Sequence, residues 1–550
     1  MNKLVIGFLT ISMLLAVACN SGTEALAESK AKSIGEIEEF IKSNPSDGEL
    51  EKAIVIRDSL IFDSISKVNT IEAFEFFVQN YPESGLIGLA KEKIKELSGI
   101  QLVVPSFRGG EARNYYGNYA PSNLDENWKL SLGSGRSFAY GKMYVWTGAG
   151  WTGQPLVVVD KNVTYLIQGA FDYHLRKINA QTGEVIWKYK FDDILKGTGT
   201  VFINKNARTE EERVVVMQGS RRGEVGNSAV APSFRGVSFL TGKELWRMNS
   251  EKTASYSRDV DGSALGVGDT AYIGLENGLF TVFNPDPQFA EMKTGMLQPK
   301  IYKQLPLYTE KDKSTHGGNL VTESSPTLLG DRIFSTTGSG HVYGYNMKTG
   351  KLDWDFYIGA DMDGTPPATD DNCLIITVEK EYIAGKGGVY KLNPSKTGDE
   401  AVEWFFPTEN KTYFTWAGGI IGSAAVNDAY VGENEPHLAV FSGIDGNLYV
   451  VNHQKLATEK VVGTDAKTMY PTPELVFKKN VGPTISSPII VGNKIIVATY
   501  TGLYLFEHDK DLKFKQLAFM KGTFEASPIV WNGKIYIASN SSGFLYCLGK

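Results

Sequence analysis

Four carboxylates at one repeated position form the strongest candidate binding site in the sequence. Each lies just before a short opening, made of a small residue and Pro or Ala, that recurs in the second half of the chain. The four are Asp261, Glu323, Asp363 and Glu525. Two of them are doubled, in Asp259-Val-Asp261 and in Asp361-Met-Asp363. Because alternate residues of an extended segment point the same way, each doubled pair is expected to aim two carboxylates at one space.

The chemistry of such a site depends on what balances its charge. Close carboxylates raise one another's pKa unless a cation neutralises them, and Arg258 and His316 are the nearby candidates for that role. Two interpretations follow. The acids bind a cation, a cationic ligand or a basic peptide, or they accept backbone N–H groups and tie neighbouring repeats together.

A second candidate contact surface is aromatic. Four aromatic residues stand in loops outside any repeat, namely Trp146, Trp151, Tyr413 and Trp416. Aromatic side chains in loops suit contact with a peptide or a sugar. Loops of this composition also suit a second role, in which they fold over the top of the domain.

The cysteines and histidines do not form a catalytic pattern. Cys373 and Cys547 fall in separate predicted strands, where we expect small buried residues rather than a vicinal pair, and no Cys-x-x-Cys-His haem motif is present. His-Glu-x-x-His and Gly-x-Ser-x-Gly are also missing, and His174, His341 and His453 lie in or beside predicted strands as expected structural residues. The sequence therefore predicts neither an enzyme nor a bound cofactor.

The elements that must position these residues are repeated β-meanders. Three landmarks recur: the small-Pro opening, a Gly followed by an aromatic strand, and Thr-Gly with a Trp five residues after the Thr, as in Thr182/Trp187, Thr241/Trp246 and Thr349/Trp354. The shortest openings are 40 residues apart, and a period near 40 with four strands per unit is typical of a β-propeller. We expect eight blades, with seven as the alternative. Their approximate positions are 154–191, 198–249, 258–308, 323–359, 363–407, 420–480, 485–520 and 524–550.

The last unit has only three predicted strands, and Asn127–Leu132 (NWKLSL) has the pattern of the missing outer strand. Pairing of this segment with the C-terminal unit would close the ring and remove its open edges.

These repeats resemble those of quinoprotein-dehydrogenase-like propellers over about 425 residues. That superfamily contains redox enzymes and non-catalytic proteins, among them the outer-membrane assembly factor propellers, which are lipoprotein scaffolds with eight blades. Quinone-dependent members characteristically present adjacent cysteines, a Ca²⁺ ion and a catalytic Asp, and this chain has no adjacent cysteines. The resemblance implies a scaffold, and a quinone-dependent oxidoreductase is the alternative.

The N-terminus has the pattern of a bacterial lipoprotein signal. Residues 1–18 contain Lys3 and an apolar run, and Ala16-Val17-Ala18-Cys19 resembles a lipobox. Cys19 is the expected lipidation site, and acyl chains on it would anchor the protein to a membrane. Residues 19–30 are a polar tether, and Asn20 is not the Asp of the usual inner-membrane retention signal. We therefore expect an outer-membrane protein, facing the periplasm.

Two segments separate the tether from the propeller. Residues 31–99 have helical periodicity and an approximate repeat, EEFIKSNPS against EFFVQNYPES, that resembles tetratricopeptide hairpins. This region is either a docking surface or a spacer. Residues 100–126 are an ordered lead-in that lies against the propeller of residues 127–550.

Composition limits the possible partners. The chain has 550 residues and a net charge of −6 without a long basic run, which argues against nucleic acid. We therefore expect a lipid-anchored scaffold that binds other outer-membrane or periplasmic proteins and has a possible role in outer-membrane protein assembly. The alternatives are a quinone-dependent enzyme and a ligand- or glycan-binding lipoprotein that uses the mouth of the central channel.

Overall fold

The computed structural model describes residues 34–43, 45–68, 71–139, 141–161, 163–222, 230–432 and 434–550. The predicted signal peptide, Cys19 and the tether lie outside these residues. The chain divides into two compact units, one ending at Gln101 and one beginning at Leu102. None of the helices in the described ranges combines the length and the apolar character needed to cross a membrane.

The first unit is helical, as its periodicity indicates. Its helices are α1 (Ile34–Lys42), α2 (Asp47–Val68), α3 (Ile71–Asn80) and α4 (Ile87–Ser98). Two of them end shortly before a proline, which cannot continue a helix: α1 before Pro45 and α3 before Pro82. The core of the unit is formed by Ile61 and Ile65 of α2, Phe74 and Phe77 of α3, and Ala90 of α4.

The second unit is an eight-bladed β-propeller, which confirms the predicted fold. Blades 1 to 4 contain β5 (Leu156–Asp160), β6 (Val163–Gly169), β7 (His174–Asn179) and β8 (Val185–Lys190); β9 (Thr200–Ile203), β10 (Val214–Gly219), β11 (Phe234–Ser238) and β12 (Glu244–Met248); β13 (Leu265–Val267), β14 (Thr270–Gly274), β15 (Leu279–Asn284) and β18 (Lys300–Pro306); and β19 (Thr327–Leu329), β20 (Arg332–Thr336), β21 (His341–Asn346) and β22 (Lys351–Tyr357). Strand β1 (Ile100–Val104) pairs beside β5.

Blades 5 to 8 contain β23 (Leu374–Val378), β24 (Gly388–Leu392) and β25 (Val402–Pro407); β26 (Ala425–Val426), β27 (Leu438–Ser442), β28 (Asn447–Val462) and β29 (Met469–Asn480); β30 (Ile489–Val491), β31 (Lys494–Ala498), β32 (Gly502–His508) and β33 (Phe514–Lys521); and β34 (Ile529–Trp531), β35 (Lys534–Ala538), β36 (Phe544–Leu548) and β2 (Glu126–Ser131). In blade 5 the innermost strand is reduced to a bridge between Ala368 and Leu374. The additions to this frame are the hairpins β3 (Ser134–Ala139)–β4 (Lys142–Thr147) and β16 (Glu291–Lys293)–β17 (Met296–Gln298), and the short helix α5 (Asp312–Thr315).

The ring closes by pairing the two ends of the propeller, as predicted. Strand β2 is the outer strand of blade 8, with Trp128 opposite Cys547 and Leu130 opposite Leu545 in the antiparallel register. An N-terminal strand thus completes the C-terminal blade and joins the two ends of the propeller.

Tryptophans join consecutive blades, which explains the Thr-Gly-x-x-x-Trp motif. The indole N–H of Trp187 in blade 1 donates to the carbonyl of Phe239 in blade 2 at 2.9 Å, and Trp246 in blade 2 donates to Pro285 in blade 3 at 2.8 Å. The glycine of the next blade's turn lies under the ring. A Cβ at Gly242, whose φ is +72°, would lie 2.8 Å from the Trp187 ring. Gly is required there both for its backbone conformation and for space.

The same contact recurs around the ring. Trp354 of blade 4 donates to the Lys396 carbonyl at 2.8 Å, Trp404 of blade 5 to that of His453 at 2.9 Å, and Trp128 of blade 8 to that of Ala180 at 3.0 Å. The last of these spans the closure between blades 8 and 1. The tryptophans are therefore packing elements of the blades and are not available as ligand contacts.

Candidate functional site

A chain of hydrogen bonds to hydroxyl groups links the small-Pro openings of blades 3 to 8 around the central channel. The backbone N–H of one opening donates to the hydroxyl of the next blade's opening at 2.8–3.3 Å. These bonds run from Ser263 to Ser325, Ser325 to Thr365, Thr365 to Ser423, Ser423 to Ser487, and Ser487 to Ser527. The small hydroxyl residues that mark each repeat therefore satisfy backbone donors where the blades converge.

One end of the channel is filled by the lead-in segment. Backbone and side-chain groups of residues 105–116 hydrogen-bond to the inner part of every blade. From blade 1 to blade 8 their partners are Gln154, Val201, Ser263, Leu328, Ala368, Val426, Pro488 and Val530. Residues 105–116 thus lie against the inner parts of the blades, and their place inside the channel could not be read from the sequence.

Two arginines hold residues 105–116, which we call the plug, in place. Arg108 and Arg113 are both completely buried. The Arg113 guanidinium donates to the carbonyls of Pro326 at 2.8 Å and of Ser263 and Ala264 at 3.2 Å, which join blades 3 and 4. Arg108 donates to the carbonyls of Ala424 at 2.6 Å and Pro488 at 3.3 Å in blades 6 and 7. Each guanidinium thus bridges two blades through fixed backbone acceptors.

The predicted carboxylates lie before the openings, and the plug contacts the residues at and after them, so the acids mark the other end of the channel. We call this end the mouth. Reading the position two residues before each opening hydroxyl gives Lys196, Asp261, Glu323, Asp363, Ile421, Ile485 and Glu525 for blades 2 to 8. The mouth therefore has an acidic side in blades 3 to 5 and an apolar side in blades 6 and 7.

The apolar side is a packed cluster. Trp151, Ile421, Ile444 and Ile485 form one buried core group, with Trp416 and Tyr500 packed against it. Trp151 is 6% exposed, so it is not the surface contact residue that the sequence suggested. Its loop folds inward because an indole surrounded by isoleucines removes apolar area from water.

The other predicted aromatic residues lie in two places. Tyr413 is 36% exposed, and its ring centre is 5.0 Å from that of Tyr500. Trp416 packs against the buried cluster and against Phe414. Trp146 belongs to β4, where its ring contacts Phe171 and lies 5.1 Å from the Arg221 guanidinium.

The acidic side contains two clusters. The first, which we call the blade 3–4 cluster, consists of Asp261, Glu276 and Glu323, with one carboxylate oxygen of each within 4.8 Å of the others. Lys196 forms an ion pair with Asp261, and Arg221 with the neighbouring Asp259 at 2.7 Å. The chain therefore supplies its own cations to this cluster.

Electrostatics within the blade 3–4 cluster follow from burial. Burial raises the pKa of Glu323 to about 7, although the charge of Lys196 opposes the shift. Burial and the charge of Asp261 also raise the pKa of Glu276 well above its ordinary value. Glu276 accepts a hydrogen bond from the Ser257 hydroxyl at 2.6 Å through one oxygen, and its other oxygen has no hydrogen-bond partner among the described residues.

The second group, which we call the blade 5 cluster, consists of Asp361, Asp363, Glu379 and Glu381. One carboxylate oxygen from each of Asp361, Glu379 and Glu381 lies within 4.8 Å of the other two. Asp361 accepts from the Asn319 amide at 2.7 Å through one oxygen, and the other is buried without a hydrogen-bond partner in the described part of the chain. Burial, with the charge of Asp361 next in effect, raises the pKa of Glu379 to about 9.

No Lys or Arg side chain forms an ion pair with the blade 5 cluster, as far as the described residues show. The ammonium of Lys380, which lies between the two glutamates in sequence, donates to the carbonyls of Ile383 and Ala384 instead. The two clusters thus differ in one respect: the first contacts resident cations and the second does not.

The structure shows other contacts for the two cations nominated from the sequence. The Arg258 guanidinium donates to the Ser250 carbonyl at 2.6 Å. The His316 ring packs on Tyr382 with 4.7 Å between ring centres, and burial lowers the pKa of His316. Lys196 and Arg221 are the cations that pair with the aspartates.

Glu525 lies apart from both clusters. It receives hydrogen bonds from the Tyr500 hydroxyl and the Asn540 amide, both at 3.2 Å. Asp259 accepts the backbone N–H of Arg222 at 3.0 Å, which fits the interpretation that these acids tie the fold together. Both residues therefore have hydrogen-bond donors within the propeller.

The residues that sequence reasoning missed share a position in the repeat. Arg221, Glu276, Ile444 and Tyr500 each stand two residues after the end of their blade's second strand. Lys196 occupies the same position in blade 2 that Asp261 occupies in blade 3, but its opening reads Gly-Thr-Gly and lacks Pro or Ala. A comparison between blades of the residues that follow the second strand would have identified these positions from the sequence.

Four of the six histidines are paired with carboxylates. His174 contacts Asp172 at 3.2 Å, His341 contacts Asp355 at 2.7 Å, and both His437 and His453 contact Asp428 at 2.9 Å. Lys391 also contacts the group formed by Asp428, His437 and His453: its ammonium lies 3.3 Å from Nδ1 of His453. These contacts give the histidines structural partners, as their positions in strands suggested.

Comparison with known proteins gives low identities to solved structures. The crystal structure of BamB from Moraxella catarrhalis is 14% identical, with a TM-score of 0.46 over 78% of this chain and 98% of its own. A europium-containing methanol dehydrogenase is 14% identical, with a TM-score of 0.48 over 82% and 91%. The quinohemoprotein alcohol dehydrogenase from Comamonas testosteroni is 16% identical, with a TM-score of 0.45 over 81% of each chain.

No curated protein matches the chain. A family model does, over residues 125–287 and 309–549, which is well over half of the chain and spans most of the propeller. The model is described as outer membrane protein assembly factor BamB. The chain belongs to this family.

Proposed function

We propose that this protein is a non-catalytic, lipid-anchored scaffold on the periplasmic face of the outer membrane, where it holds a partner during the assembly of outer-membrane proteins. The family description supports the assembly role. The lipobox-like sequence before Cys19 supports the anchor. The docking site is the acidic side of the mouth, which receives basic side chains of the partner.

The observation that carries the proposal is the blade 5 cluster. Its carboxylates are gathered and partly buried, and burial raises the pKa values of Glu379 and Glu381. A charged group without a counter-charge is costly to bury. An arginine or lysine of a partner that entered the mouth would supply the counter-charge and hydrogen-bond donors at once.

The thiols support a function without redox catalysis. Cys373 lies just before β23 of blade 5 and Cys547 in β36 of blade 8, and both are buried. Burial raises the pKa of Cys373 to about 12 and that of Cys547 to about 11. Both side chains are therefore thiols at neutral pH and weak nucleophiles.

The mouth also fits a quinone cofactor poorly. Pyrroloquinoline quinone carries several carboxylates, and the acidic side of the mouth would repel them. The apolar side is already filled by Trp151 and its isoleucine neighbours. A basic peptide suits the same charges better.

The proposal can be tested by photo-crosslinking in intact cells. A crosslinking residue is placed at Tyr382, which is 47% exposed and follows Glu381, and a control at Leu240, which is 51% exposed on the turn after β11 of blade 2. We expect position 382 to crosslink an outer-membrane protein through a basic segment, and the double variant Asp361→Asn/Glu381→Gln to lose this product.

The matched control is Glu400→Gln/Glu403→Gln, which removes the same charge from the outer part of blade 5. Equal crosslinking by both double variants would refute the docking site. For the anchor, Cys19→Ala is expected to move the protein from the membrane to the soluble periplasmic fraction, and unchanged membrane association would refute lipidation at Cys19.

A divalent cation is the second candidate ligand for the mouth. The oxygens of Asp361, Glu379 and Glu381 are close enough to share an ion that accepts oxygen ligands at about 2.3–2.6 Å, as Ca²⁺ does. Titration calorimetry with CaCl₂ distinguishes the two candidates. Heat of binding that disappears in Asp361→Asn would favour the ion, and no heat would leave the basic segment as the ligand.

A further inference from the structure

The N-terminal half of helix α2 carries apolar side chains that the helical unit does not fully bury. The buried side of the helix, which includes Ala53, Ile61 and Ile65, forms the core with neighbouring helices. Leu50, Ile54 and Val55 are also apolar, but they are partly or largely exposed, and Val55 is 60% exposed. Leu50 and Ile54 are four residues apart and continue the face of α2 that carries Ile61 and Ile65, whereas Val55 lies about 100° further around the helix from Ile54.

Leu50, Ile54 and Val55 lie on one wall of a groove of about 520 Å³. The opposite wall is the turn between α3 and α4. The lining residues are Asp47, Leu50, Glu51, Ile54, Val55, Asp58, Ser59, Glu83, Ser84, Gly85 and Leu86. The groove therefore has an apolar floor and an acidic rim.

The rim carboxylates differ in their partners. Asp58 is buried and bound by the Arg57 guanidinium at 2.7 Å. Glu51 and Glu83 are exposed, and neither has an ion pair among the described residues. The rim thus presents negative charge that no neighbouring cation of the unit neutralises.

The distribution of charge along the chain also favours a basic partner for the helical unit. Residues 34–98 contain 13 acidic and 7 basic side chains, a balance of −6, which equals the net charge of the entire protein. The much longer remainder of the chain is therefore neutral overall. Such a concentration of charge in a small unit selects for partners of opposite sign.

We propose that this groove binds a basic amphipathic segment of a partner protein. Its apolar residues would cover Leu50, Ile54 and Val55, and its lysines or arginines would lie against Glu51 and Glu83, as in other helix-in-groove complexes. An anionic lipid surface fits less well, because the rim would repel it. The groove and the mouth are lined by different residues, so substitutions can test each site by itself.

The test uses the full-length protein and two synthetic peptides, one of alternating helical leucine and lysine stripes and one with every lysine replaced by glutamate. Fluorescence anisotropy is expected to show binding of the basic peptide that weakens at least tenfold as NaCl rises from low to high concentration. Binding of the acidic peptide with similar affinity would overturn the proposal.

Two charge-reversal variants locate the site. Glu51→Lys/Glu83→Lys is expected to weaken binding of the basic peptide at least tenfold. Glu39→Lys/Glu92→Lys changes the net charge by the same amount at exposed positions outside the groove and is expected to weaken binding less than threefold. Equal losses in the two variants would show attraction by net charge alone and would overturn the site.

Two further experiments test the apolar floor of the groove and the binding partner in cells. Val55→Ser is expected to weaken peptide binding without changing its salt dependence, and unaltered affinity would overturn the role of the floor. In cells, a photo-crosslinker at Val55 is expected to label a basic amphipathic segment, and labelling of acidic segments or lipid would contradict the proposal. Crosslinks from Tyr382 are expected to persist in Glu51→Lys/Glu83→Lys, which separates failure of this site from failure of the mouth.

Discussion

The ammonium of Lys196 in blade 2 forms an ion pair with the carboxylate of Asp261 in blade 3, across the boundary between the blades. The Asp261 side chain is fully buried, and that of Lys196 is 21% exposed. Burial lowers the pKa of Lys196, but the charges of Asp261 and Glu323 raise it well above its ordinary value. This ion pair distinguishes the blade 3–4 cluster, which contacts a lysine of the chain, from the blade 5 cluster, which has no such ion pair among the described residues.

Removal of the lysine alone should destabilise the propeller. In Lys196→Met, the buried Asp261 carboxylate loses its counter-ion, and we expect a loss of about 3 kcal/mol in the free energy of unfolding. Urea denaturation measures it. The double variant Lys196→Met/Asp261→Leu, with neither charge, should recover most of the loss. A single variant as stable as the wild type would contradict a buried ion pair.

The stability of the protein should fall as pH rises above the ordinary carboxyl pKa. Burial raises the pKa of Glu379 to about 9, so the folded protein keeps a proton that the unfolded chain releases near pH 4.5. Between these values the folded state binds more protons, and each such group lowers the free energy of unfolding by up to about 1.4 kcal/mol per pH unit.

Glu379→Gln isolates this effect. The amide cannot ionise, so the variant should be more stable than the wild type at pH 8 and should lose that advantage at pH 4.5. Thermal melting at both pH values is the measurement. Asp465→Asn is a suitable control, because hydrogen bonds, first from Thr468, lower the pKa of that exposed carboxyl. An advantage for Glu379→Gln that did not depend on pH would contradict the assignment.

The indole-to-carbonyl contacts between blades should each contribute to stability. Trp246 is 1% exposed and donates to the Pro285 carbonyl at 2.8 Å. Trp246→Phe keeps most of the ring but leaves a buried carbonyl without its donor, which costs about 1–3 kcal/mol. Trp246→Ala adds a cavity and should cost about 3–5 kcal/mol. Chemical denaturation of both variants would test this, and a Trp246→Phe variant as stable as the wild type would mean that the hydrogen bond contributes nothing.

The sequence predicted the fold well because the repeat encodes it locally. The Thr-Gly turn, the small-Pro opening and the aromatic strand each report a contact that recurs in the ring, and the outer-strand pattern at 127–132 was sufficient to predict closure. The acidic column could be read for the same reason, since Asp261 and Asp363 hold a fixed place before an opening.

The rest of the site depends on contacts between distant residues. Nothing near Asp261 in the sequence shows that Lys196 faces it, because the lysine comes from the preceding blade after a long loop. Likewise Arg108 and Arg113 lie in a segment without repeats, and their acceptors in the blades are backbone carbonyls 150 or more residues away. Such carbonyls have no sequence identity, so only the three-dimensional arrangement reveals them.

The last prediction concerns the plug and tests whether Arg113 holds it in place. Arg113→Lys keeps a positive charge but cannot reach the Pro326, Ser263 and Ala264 carbonyls together, because an ammonium lacks the planar fork of a guanidinium. The buried carbonyls that lose their donors should cost about 1–3 kcal/mol each, so we expect a loss of at least about 3 kcal/mol.

Limited proteolysis provides the second readout for Arg113→Lys. If the arginine holds the plug, cleavage between residues 105 and 119 should become faster in the variant while cleavage within blade 4 does not. Arg136→Lys, at an exposed position of β3, is the matched control and should leave both rates unchanged. Faster cleavage throughout the propeller would instead mean that Arg113 supports the blades generally and that the lead-in segment is not an independently held plug.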